Sequence, residues 1–141
     1  MRKQSIRFLP STETHQMEQL AERARLSLSR FARVDVEYNA GGVQLLDEWI
    51  DRHTRQFPHP NQTLWTLWGA FLGQVFRQRY NGDWAVDKSA KKPRLGILCP
   101  RAKHGLLFLA VMDQVEQRIE RGMQESLTFY YTLKGIEIKS V

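Results

Sequence analysis

The chain has one cysteine, Cys99, in 141 residues. A lone thiol cannot close an internal disulfide, and His15, His53, His59 and His104 are scattered without zinc-ligand spacing. No apolar run approaches the roughly 20 residues needed to cross a bilayer. The opening MRKQSIRFLPSTETHQ has basic residues but lacks the continuous apolar stretch of a leader. These absences point to an unprocessed, cytoplasmic chain with no transmembrane segment. Also missing are the GxxxxGK[ST] loop, a GxGxxG turn after a strand and the GxSxG elbow, which removes the common nucleotide-binding and hydrolase signatures. No cofactor, metal or catalytic residue set is therefore expected, and there is no internal repeat.

The residues present, 42% hydrophobic and 11% aromatic, suffice for one globular domain, residues 1–141, with a single core. Met17, Leu20, Ala21, Ala24, Leu28 and Phe31 recur at spacings of three and four, which predicts a helix over about residues 12–33 with Ser11 as its N-cap. Val34, Val36 and Tyr38 alternate with polar residues and suggest a short extended piece before Gly41 and Gly42. A second helix is expected over about 43–56, with Val43, Leu46, Trp49, Ile50, His53 and Phe57 near one stripe. Its outer face offers the i,i+4 pairs Glu48–Arg52 and Asp51–Arg55. Asp47 and Asp51 share a face there, but no further ligand accompanies them.

From about Asn61 a third helix carries apolar residues around nearly its whole circumference, so it should be central and buried. Gly69 and Gly73 lie four apart on one of its faces, and each costs about 1 kcal/mol of helix propensity relative to Ala. A close neighbour must need that space. Beyond Asn81 and Gly82, the residues around Trp84 and Val86 and those over 95–99 read as two strands of an antiparallel hairpin. Residues 105–108 could close a third strand or lead into the next helix. A helix ending at Gly122 follows, then a helical stretch over about 124–133, with Ile136 and Ile138 as a terminal edge strand. Helices, a clustered sheet and further helices make an α+β fold: N-terminal helices including one buried central helix, a small antiparallel sheet, then C-terminal helices.

The segments GAFLGQVFRQRYNGDWAVD (residues 69–87) and VEQRIERGMQESLTFYYTL (residues 115–133) resemble a family of small uncharacterised bacterial proteins, a domain of unknown function. Its pattern is a Leu-Gly-x-x-Leu-Gly-like helix, a Gly-x-Trp strand start and an Arg-x-x-x-Gly helix followed by Ser and Phe-Tyr. Gly69, Gly73, Gly82, Trp84, Val115, Arg118, Gly122, Ser126, Phe129 and Tyr130 stand where that pattern implies. Trp68, Gln74 and Gln117 depart from it. The resemblance implies a fold and brings no catalytic residues with it.

Charge is the remaining signal. The net charge of +6 lies wholly between Arg77 and Lys103, where eight cations face two anions, while the rest of the chain balances at thirteen against thirteen. Such an asymmetry favours an acidic partner, although a solvated hairpin that keeps the chain soluble would account for it too. The candidate binding residues are Arg77, Arg79, Tyr80, Trp84, Lys91, Lys92, Arg94 and Arg101. The expected role is a small non-enzymatic protein, such as an adaptor, an immunity-type protein or an assembly subunit, that binds a protein partner with an acidic face through this basic hairpin. The alternatives are nucleic-acid binding, with Trp84 or Tyr80 stacking on bases beside phosphate-contacting cations, and an enzyme built on Cys99 paired with His104 or on perturbed carboxylates.

Overall fold

A computed structural model describes residues 5–89 and 91–140. The first four residues of the basic N-terminal stretch, together with Ala90 and Val141, lie outside the described residues.

Helix α1 (Ser11–Ala32) buries Met17, Ala21, Ala24 and Leu28, the stripe its periodicity predicts. Ser11 is not its cap. Pro10 occupies the cap position, no side chain caps the helix, and Ser11 is the first helical residue. The extended piece expected at residues 34–38 does not become a strand. Val36 is buried, but its N–H donates to Ser29 Oγ and its carbonyl accepts from Arg25 Nη1, each at 3.0 Å. Side chains of α1 thus take the two backbone groups that a neighbouring strand would need.

Helix α2 (Ala40–Gln56) begins before the two glycines because Asn39 caps it, its Oδ1 accepting from the Gly42 N–H at 2.9 Å. A side chain on Gly42 would run into the Glu37 carbonyl oxygen. Val43, Leu46 and Ile50 are buried, whereas Phe57, placed on the same stripe from sequence, is exposed beyond the helix end. Asp51 and Arg55 pair at 2.7 Å as expected, while the Arg52 guanidinium lies over the Phe31 ring.

Helix α3 (Gln62–Tyr80), capped by Asn61, is buried continuously through ten residues, Leu67 to Phe76. Its glycines explain themselves: Gly69 faces Met112, and Gly73 faces the Trp84 ring. Asn81, in the left-handed region at φ 58°, turns the chain into the sheet.

Among the described residues the sheet has four antiparallel strands in chain order, β1 (Ile6–Phe8), β2 (Asp83–Asp87), β3 (Arg94–Pro100) and β4 (Leu106–Leu109). The hairpin is as expected, and the ambiguous third segment is a strand. β1 has no precedent in the sequence pattern. Its three residues are too few for alternation to register, and it forms by pairing Ile6 with Asp87 and Phe8 with Ala85. Trp84, Ile97 and Leu109 stand opposite one another and face α3.

Helix α4 (Val111–Arg121), a 3-10 turn (Gly122–Glu125) and helix α5 (Leu127–Lys139) complete the chain. The terminal edge strand is not formed, since Ile136 and Ile138 belong to α5, whose buried face is Leu127, Tyr131, Gly135 and Ile138. Gly135 does not stop the helix. It leaves room for the Tyr80 hydroxyl, which would collide with any side chain there. The fold is α+β, and no helix among the described residues is long and apolar enough to cross a membrane.

Candidate binding face

The β2–β3 ribbon separates the candidate basic residues into two groups. Asp83 pairs with Leu98 at one end and Asp87 with Arg94 at the other. Four residues of strand, at about 3.3 Å each, place these ends about 13 Å apart. Arg77 lies at the first end, where it is bound to Glu18 and, at 3.1 Å, to Asp83. Burial opposes the charge on Arg77, but the hydrogen bond and field of Glu18, with Asp83, raise its pKa above the ordinary value. Arg101 follows β3 at this same end, its N–H bonded to the Gly105 carbonyl. Arg79 is exposed with its guanidinium over the Tyr80 ring, and that ring packs on Phe76 and Tyr131.

Lys91 and Lys92 project from the loop at the other end, exposed like Lys88 and free of ion pairs among the described residues. Arg94 is differently employed. It pairs with Asp87 at 2.6 Å and lies over the Phe108 ring at 5.6 Å. The Arg94 hydrogen bond, aided by the backbone and side chain of Ser89, holds the Asp87 carboxyl at about 2. Trp84 is 1% exposed and lies against Gly73. It cannot serve as a platform for a base, so the eight residues do not form one surface.

A feature absent from the sequence reading lies on the far side of the sheet. Strand alternation turns Phe8, Ala85, Leu98, Leu106 and Phe108 away from α3, and none of them joins the core around that helix. Phe8 is 59% and Leu106 60% exposed. An antiparallel sheet with one face in water ordinarily presents polar residues there. Here the Asp87–Arg94 pair is set among apolar neighbours, and the basic loop borders the patch.

No family model, curated protein or solved structure matches this chain.

Two arrangements could have supported chemistry instead. The Cys99 thiol is buried against Gly82, and burial pushes its pKa up to about 12. His104 is exposed on the β3–β4 turn. A nucleophile needs a thiolate near neutral pH, which this environment opposes. The other is Asp47, buried beside Arg118, with the Arg118 Nε donating to Oδ1 at 2.9 Å. The same oxygen accepts the Leu127 N–H at 3.0 Å. Oδ2 accepts from Ser126 Oγ at 3.1 Å, the Thr128 N–H at 2.8 Å and Thr128 Oγ1 at 2.7 Å. Burial works to raise the Asp47 pKa, but the bonds from Thr128, Leu127 and Arg118 outweigh it and hold the carboxyl below its ordinary value.

With five donors on two oxygens, Asp47 has little capacity left for a substrate. It clamps α2 to α4 and to the first turn of α5. Nothing local in the sequence marks this cluster, because the partners stand 71 to 81 residues away. The one available signal was an acidic residue among the apolar positions of α2.

Proposed function

We propose that the chain is a non-enzymatic binding protein, an adaptor, immunity-type protein or assembly subunit, that docks on an acidic face of a protein partner through the 88–93 loop and the neighbouring apolar sheet face. The supporting observation is that the exposed Lys88, Lys91 and Lys92 stand at one end of a sheet face that carries the exposed Phe8 and Leu106 and the half-buried Phe108. Apolar side chains give a protein partner area to bury, and the lysines steer its approach and fix its sign of charge. Nucleic-acid binding is the weaker alternative, since Trp84 is buried and Arg94 already covers one face of Phe108.

The test is the double variant Lys91→Glu/Lys92→Glu, which leaves the Arg94–Asp87 pair intact. A tagged chain captures partners from nuclease-treated extract at moderate salt, and the association rate of a captured partner is then measured against ionic strength. The double variant should retain its melting temperature, slow association at least tenfold and flatten the salt dependence. Unchanged association would refute this placement. Capture of nucleic acid alone, without nuclease, would replace it with the second reading.

A further inference from the structure

The inner face of the sheet has a region that its helices leave open. α3 packs on the sheet at Trp84, opposite Gly73, and the turn that follows it sets Gly82 against Ile97 and Cys99, toward the end of the ribbon away from the basic loop. At the loop end, the cross-strand partners Val86 and Leu95 point into the same layer yet are only half-buried. The first turns of α1 and the β1–α1 junction wall this space without filling it. The result is a pocket of about 680 Å³ beneath Val86 and Leu95, with Leu9 and Met17 opposite and Arg7, Lys88 and Glu13 among its polar lining.

We infer that this pocket is a binding site for an aliphatic carboxylate, its chain against Leu9, Met17, Val86 and Leu95 and its head between Arg7 and Lys88. The volume falls within the range of roughly 300–1,000 Å³ typical of small-molecule sites, and a mostly apolar wall with a few charged groups is how such sites are built. The sign of the head follows from the lining: two cations against one carboxylate, Glu13. An apolar chain supplies the contacts that Val86 and Leu95 lack, while a cationic head would meet Arg7 and Lys88 at close range. The inference does not depend on the docking reading. The two sites lie mainly on opposite faces of the sheet and share Phe8, Lys88 and the loop.

The test is an NMR titration of the intact chain with decanoate below its micellar concentration, in parallel with decyltrimethylammonium, which has the same tail and the opposite charge. Decanoate should give saturable shifts at the amides of Arg7, Val86, Lys88 and Leu95, and the cation should bind at least tenfold more weakly. Arg7→Glu, an exposed substitution, should lower decanoate affinity at least threefold with an unchanged amide spectrum elsewhere. Equal affinity for the two amphiphiles, or shifts that do not saturate or fall outside the pocket, would overturn the assignment. Retention of Lys91→Glu/Lys92→Glu affinity for decanoate is expected, which separates this site from the docking face.

Discussion

Replacing Asp47 with Asn tests the clamp that joins α2, α4 and α5. The variant is nearly isosteric, so it leaves no cavity and isolates the loss of charge and acceptors. Arg118, 1% exposed, would keep its charge in the interior with only the more distant, partly exposed Asp51, 3.8 Å away, as a counter-ion. The amide NH2 would face Thr128 and Ser126 donors that now share one carboxylate oxygen. Removing one member of a buried ion pair costs about 3–5 kcal/mol. At roughly 2.1 cal/mol/K of unfolding entropy per residue, a chain of this length gains about 0.3 kcal/mol/K on melting, so the melting temperature should fall by about 10–17 °C. Circular dichroism at 222 nm, followed through thermal unfolding at neutral pH, reads this directly. The gap should depend on acid in one direction. Because the folded pKa of Asp47 lies below its unfolded value, the stability it contributes is complete above the unfolded value and is lost as pH falls through the folded one. Wild type and variant should therefore converge below about pH 4. A fall of less than about 3 °C at neutral pH, or a gap that widens in acid, would refute the clamp.

The two glycines of α3 should respond differently to alanine. Gly73→Ala drives a methyl into the rigid Trp84 ring, and overpacking of about 1–3 kcal/mol exceeds the gain in helix propensity of about 1 kcal/mol. Gly69→Ala meets the flexible Met112 thioether, which can move aside, so its urea midpoint should equal or exceed that of wild type. The reverse order of midpoints would contradict this account of why both positions are glycine. Cys99, with its thiol at about 12, should resist a chromogenic disulfide reagent at pH 8 in the native chain and react fully in denaturant. Native labelling as fast as that of the unfolded chain would show that the thiol is accessible.

The sequence determined by itself whatever depends on local period and local chemistry. Apolar spacing located α1, α2 and α3, the unbroken apolar circumference marked α3 as the central helix, and alternation around Trp84 and Val86 with the 95–99 run identified the hairpin. Gly69 and Gly73 announced close neighbours because a helix tolerates such residues only for a reason. The charge count located the basic tract, but a count along the chain carries no direction. Only the tertiary structure divided that tract between two ends of a ribbon, turned Trp84 inward and left Phe8 and Phe108 on the open face, since one register decides the face of every strand residue. Tertiary packing also extended α5 through Gly135, where the Tyr80 hydroxyl needs the space, and stabilised β1, whose three residues have no pattern of their own. The clamp was the least legible element. An aspartate at position 47 looks the same in sequence whether it faces water or receives five hydrogen bonds from residues more than seventy positions away, because periodicity reports which face is buried and not what meets it there.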